Sequence, residues 1–285
     1  MIKTVERRVW AFDAEWVPDP LAGRLLYDTP DSVREPEEIL QLMWGQEGAT
    51  EQDPTPFLKL VKCRLVSIAA VERLDRGDEE PLLRLLSLPR DPTDSAQNVE
   101  SAVLGKFLGA IGEHKPQLVG FNSVDSDLKI MIQRGVILGL HMPGFATRPA
   151  KPWEGIDYFA RGGDWHVDIK DLVSGWGKAT PSLHELAVQS GIPGKMDVDG
   201  NDVARLWLDG ELGHIVDYNE YDALTTYLVW LRIAHFAGHF SSDAYEREQA
   251  LLRAMVEREI DGGDKPHLAA YLEEWDRLRA FVAER

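Results

Sequence analysis

One cysteine, Cys63, stands in a chain of 285 residues. An internal disulfide and a cysteine-cluster zinc site are therefore excluded, and the usage fits a reducing compartment, so a cytoplasmic location is expected. Basic residues are also scarce: 31 Lys and Arg face 48 Asp and Glu, a formal net charge of −17. Non-specific coating of polyanions runs on clustered lysine and arginine, so that class is disfavoured. An enzyme that grips nucleic acid locally and through metal ions is not. No apolar run approaches the ~18 residues that span a bilayer, and Met1–Arg8 contains no apolar signal-peptide stretch. No membrane association is expected. Internal repeats and low-complexity tracts are missing as well. What remains is ample for a sizeable core, with 44% hydrophobic residues.

The apolar run Val9–Val17 reads as a buried strand stopped by Pro18-Asp19-Pro20. Residues 18–57 hold six prolines and nine acids against Arg24 and Arg34, which suggests an acidic, loop-rich insertion with one short helix near 35–44. Strands are expected at 63–71, 81–88, 117–121 and 165–168, with helices at 99–113, 127–138, 214–236, 244–259 and 266–283. Shorter helices are expected near Leu172, at 183–190 and at 203–208. The order implies an α/β protein, a mixed sheet flanked by helices. The division expected is a domain over 1–240 and a helical C-terminal extension over 241–285, whose apolar faces pad the sheet.

The informative feature is where the acids sit. Asp13 and Glu15 interrupt an apolar strand, and at a period of two they share one face while Phe12, Ala14 and Trp16 take the other. Two like charges on a buried strand repel unless a cation lies between them, and hard oxygen donors suit Mg²⁺ or Mn²⁺. On an edge strand the same pair would simply face water. Asp127 opens a helix after a short strand, where an acid also complements the helix dipole, and Asp125 competes for either role. Tyr218 and Asp222, four residues apart, share a face of the long helix; there Asp222 could equally be a solvated acid.

In chain order these residues resemble the motifs of the DEDD-superfamily 3′→5′ exonucleases, tyrosine (DEDDy) subclass. Phe12-Asp13-Ala14-Glu15 is similar to the first motif, Gly120-Phe121-Asn122-Ser123-Val124-Asp125-Ser126-Asp127-Leu128 to the second, and Tyr218-Asn219-Glu220-Tyr221-Asp222 to the third. The closer resemblance is to predicted exonucleases related to the family-B DNA polymerase proofreading domain. It is supported by Cys63–Ala69, His166–Leu172 and Ile192–Asp197 and covers roughly residues 5–237. Ser126 departs from the pattern, which has an aromatic residue before the second-motif aspartate; the spacing from Asn122 favours Asp127 over Asp125. No polymerase-sized region follows, so a complete proofreading polymerase is not expected.

The resemblance implies a ribonuclease-H-like fold and two-metal phosphodiester hydrolysis, releasing nucleoside 5′-monophosphates from single-stranded 3′ ends, DNA ahead of RNA. Asp13, Glu15, Asp127 and Asp222 would hold two Mg²⁺ or Mn²⁺ ions about 3.5–4 Å apart. Tyr218 would orient the attacking water. Trp16, Asn122, Lys129, Lys178 and Lys195 are candidate substrate contacts, with Arg161 beside them, and Asp168 is a fifth acid read as strand-end hydrogen bonding. The alternatives are an exoribonuclease using the same acids and a catalytically silent nucleic-acid-binding or assembly module. Docking to repair or replication partners is a further expectation for the tail.

Overall fold

The computed structural model describes residues 1–151, 153–160, 162–196 and 200–284, with the side chains of Lys178 and Asn201 left aside. Five strands form one sheet in the order β3-β2-β1-β4-β5: β1 Arg8–Pro18, β2 Cys63–Arg76, β3 Glu79–Leu88, β4 Gln117–Gly120 and β5 His166–Asp168. β2 runs antiparallel to both β1 and β3, while β4 and β5 continue parallel to β1. β1 is therefore the central strand, not an edge. Asp13 and Glu15 cannot be explained as water-facing edge residues.

The period of two decides what each face of β1 meets. Val9 and Ala11 join Val71, Val119 and Val167 in a core closed by four helices. These are α9 Leu212–Phe236, α10 Ser242–Asp261, α11 Leu268–Ala283 and the short α7 Leu183–Gln189. Trp10, Phe12 and Ala14 face the opposite core, built with α2 Pro36–Gln46, α3 Glu100–His114 and α4 Asp127–Ile137. The remaining helices are short: α1 Pro20–Leu26, α5 Pro143–Ala146, α6 Ile169–Val173 and α8 Val203–Leu208. The mixed sheet between helical layers agrees with the expected fold class. Among the described residues, no helix is long and apolar enough to cross a membrane.

Helix α1 departs from the expectation of a loop with one helix in the 18–57 insertion. Pro18-Asp19-Pro20 ends the strand, but it also starts a helix. The Asp19 side chain accepts from the Leu21 N–H at 3.0 Å as the N-cap, and Pro20 occupies the first helical turn, where its missing N–H costs nothing. Gly23 lets α1 lie directly on α2, since a Cβ there would sit 2.3 Å from the Ile39 side chain.

A buried ion triad sets the position of α4. Arg134 donates to Glu100 through Nε (2.7 Å) and Nη2 (2.6 Å), and Nη2 also lies 2.9 Å from Asp19. Glu100 further accepts from the Leu65 N–H at 2.8 Å, so α3, α4, β2 and the α1 cap meet at one guanidinium. Arg134→Met would leave two carboxylates facing each other without a cation. A loss of about 3–5 kcal/mol is expected, read from urea unfolding; a loss below about 1 kcal/mol would show that the triad does not hold the helix. On the other face, Arg73 of β2 donates to Glu248 of α10 at 2.6 Å and docks the C-terminal helices on the sheet.

Candidate active site

Three elements converge beyond the C-terminal half of β1. β1 presents Asp13 and Glu15 on the α9 side, just before a bulge: Glu15 pairs with Ser67 but Trp16 with Leu65, so Val66 is an extra residue on β2. Bulges bend a strand and re-aim its side chains. Helix α9 crosses this end and supplies Tyr218 and Asp222 one turn apart. Helix α4 supplies Asp127 at its first position, directly after the turn that follows β4.

One carboxylate oxygen from each of Asp13, Glu15 and Asp222 lies within 4.8 Å of the other two. Asp127 lies outside that triplet, but its charge acts on all three. It is buried and held in place, because β1 outruns its pairing with β4, which ends at Ala11↔Val119. The Ala14 N–H beyond that point donates to Asp127 Oδ1 at 3.0 Å. Ser126 Oγ lies 2.8 Å from Asp127 Oδ2 and 2.6 Å from the Asn122 carbonyl, and its single proton serves one acceptor at a time. The hydroxyl that departs from the aromatic pattern thus contacts the acid itself. Asp125 is exposed in the preceding turn.

Electrostatically the group is unresolved. Burial, followed by repulsion from the neighbouring carboxylates, pushes Asp13 and Glu15 well above the usual acid range. Burial also lifts Asp127 and Asp222, each to about 6, against hydrogen bonds from Ser126 and Tyr218 respectively. Lys195 is near enough to Glu15 and Asp222 to offset part of the rise. Tyr218 is packed among Val17, Val66, Val203 and Ile215, and its hydroxyl bonds Asp222. Burial and the neighbouring acids raise its pKa, so it stays a phenol.

A second acid group shows what a resolved cluster looks like. Asp217, Glu220 and His267 also meet within 4.8 Å. There, Glu220 pairs with Lys265 and accepts from His267 Nε2 at 2.9 Å and from Ser87 Oγ. Burial opposes its ionisation, yet these partners hold its pKa below the usual range. Lys265 and these hydrogen bonds satisfy Glu220, while burial leaves Asp217 raised. In the first group four carboxylates share hard oxygen donors and a surplus of negative charge, a donor set that fits Mg²⁺ or Mn²⁺. A cleft of about 1220 Å³ over β2, β3 and α3 contains none of these acids.

The other expected contacts scatter. Trp16 is half-buried and packs with the core on the opposite face from the acids. Lys129 is exposed and lines a separate cavity of about 310 Å³ with Asp125, His166 and Asp171. Asn122 sits in the left-handed region (φ 61°) and accepts from Lys170 Nζ at 2.8 Å. Asp168 accepts from the Asn122 and Val124 N–H groups at 2.8 and 2.9 Å, which fastens the turn leading to Asp127. Arg161 and Asp197 lie outside the described residues, and Lys178 is placed only by its backbone. Two residues not singled out from sequence belong to the site: Asn219 donates to Asp13 Oδ2 at 2.7 Å, and Ser67 donates to Asn219 Oδ1 at 3.2 Å. The available signal was position, since Asn219 stands three residues before Asp222 on the same helical face.

A search of the curated proteins found no match. Residues 55–275 match a family model described as a predicted 3′–5′ exonuclease related to the exonuclease domain of PolB. The matched stretch contains Asp127, Tyr218 and Asp222 and begins after β1. It spans well over half of the chain, which therefore belongs to this family of predicted exonucleases related to the PolB exonuclease domain.

Proposed function

We propose that the protein is a metal-dependent 3′→5′ exonuclease of the DEDDy type, acting on single-stranded DNA ends and releasing nucleoside 5′-monophosphates. The observation that carries this reading is the contrast between Glu220, held below the usual acid range by Lys265 and its hydrogen bonds, and the cluster of Asp13, Glu15 and Asp222, pushed above that range beside a buried tyrosine. Asp13, Glu15, Asp127 and Asp222 would hold two Mg²⁺ or Mn²⁺ ions. When bound, these supply Lewis-acid activation of water and neutralise charge on the leaving 3′-oxygen. The protein side chains do the positioning. Tyr218 keeps its proton at neutral pH, so it orients the attacking water as a hydrogen-bond partner and does not act as the base. Lys195 offers a cation to a phosphate beside Glu15 and Asp222.

The test is a time course on 5′-labelled single-stranded DNA and matched RNA, in Mn²⁺ and in EDTA. Stepwise shortening from the 3′ end, only with metal and faster on DNA, is the expected result. Internal nicks or an intact substrate would overturn the reading, and faster decay of the RNA would move it to an exoribonuclease. For Tyr218→Phe we expect a fall in kcat of about 10²-fold, with no change in the alkaline limb of the pH–rate profile. Loss in this variant of a limb that rises with pH would make the phenol a titrating base.

A further inference from the structure

We propose that Asn219, oriented by Ser67, is a positioning residue that presents Asp13 to divalent metal. The inference rests on the metal-binding reading of the acid cluster and extends it to two side chains that bind no metal themselves. Asn219 is completely buried on the sheet-facing side of α9, and Ser67 is completely buried on β2, in register with Glu15. A buried amide is costly unless both of its ends are bonded. Here both are, and one end goes to Asp13.

The geometry fixes a direction. Turned the other way, the amide oxygen would face the Asp13 carboxylate, oxygen against oxygen. The Nδ2 group must therefore point at Asp13, which leaves Oδ1 toward Ser67 and obliges the serine hydroxyl to donate. The relay runs from the Ser67 hydroxyl through the amide to Asp13 Oδ2, linking β2, α9 and β1. An N–H donor of this kind bonds one carboxyl oxygen and fixes the plane of the group. It holds the Asp13 carboxyl in one orientation, with an oxygen within 4.8 Å of those of Glu15 and Asp222. Outer partners of metal ligands commonly control affinity in this way.

The experiment measures Mn²⁺ binding by calorimetry on the full chain, with melting in EDTA alongside, for wild type, Ser67→Ala, Asn219→Leu and the double variant. Asn219→Leu keeps the bulk of the side chain and removes the donor. It is expected to weaken Mn²⁺ binding about 10–100-fold. Ser67→Ala should weaken it less, and the double variant no more than Asn219→Leu, because Ser67 acts through the amide. A purely structural role would lower the EDTA melting temperature and leave Mn²⁺ affinity as in wild type, which overturns the proposal, as would additive losses. Should Asn219→Leu fail to fold, Ser67→Ala carries the test alone: it removes one oxygen, and unchanged affinity counts against the relay. Failure of the wild type to bind Mn²⁺ would instead refute the reading of the cluster as a metal site, and the relay with it.

Discussion

Asp13→Asn and Asp222→Asn, made singly, are expected to stop nucleotide release while making the metal-free protein more stable. The two effects have one cause. Each substitution keeps the shape of the side chain and removes a charge that burial and like-charged neighbours disfavour. Without metal, the variant is relieved of that repulsion and its melting temperature in EDTA rises. With metal, the same substitution removes a ligand, and degradation of a labelled oligonucleotide should fall by more than about 100-fold, beyond the usual effect of losing an outer partner. A residue that served packing alone would show loss of stability with loss of activity. Opposite signs mark a site that is costly when empty of cations. Activity retained in both variants would remove these acids from the chemistry.

The second large effect is on how pH and metal act together. Asp13, Glu15, Asp127 and Asp222 all have folded-state pKa values above those of the unfolded chain, about 6 for Asp127 and Asp222. At these four groups the folded protein thus binds more protons than the unfolded chain. The contribution of Asp127 and Asp222 to stability is fully present below the ordinary carboxylate range and is lost as pH rises through about 6. In EDTA, the melting temperature contributed by this cluster should therefore drop between pH 5 and 7. Metal binding requires the deprotonated acids, so stabilisation by Mn²⁺ should grow over the same interval. At pH 7.5 and a hundredfold excess over the dissociation constant, one ion contributes ~2.7 kcal/mol, a shift of roughly 4–5 °C in a chain of this size. Melting in Mn²⁺ and in EDTA at pH 5.5 and 7.5, on wild type and Asp222→Asn, separates this cluster from every other titrating group. Identical curves with and without metal at pH 7.5 would contradict a metal site.

Much of this centre is legible without coordinates because it depends on local periods. Alternation along β1 places Asp13 and Glu15 on one face, and the four-residue step places Tyr218 beside Asp222. The same reasoning stops where a period names a shared face but not what covers it. Trp16 was a candidate for stacking on a base, yet the alternation that separates it from Glu15 turns it into the opposite core. Lys129 lies only two residues from Asp127, and that step carries it around α4 to another cavity. Pro18-Asp19-Pro20 was read as a stop, although the same three residues also cap and begin α1.

Composition, strand alternation and helix spacing by themselves determined the α/β class and the face each side chain takes, because these follow from backbone geometry repeated every two or 3.6 residues. Tertiary structure decided the rest. It brought Asn219 to Asp13 and Ser67 to Asn219, and gave Glu220 a lysine and a histidine while leaving Asp13, Glu15, Asp127 and Asp222 to repel one another. The physical reason is separation along the chain. Whether a buried charge is neutralised depends on which distant residues the fold brings within a few ångströms, and no local period carries that information.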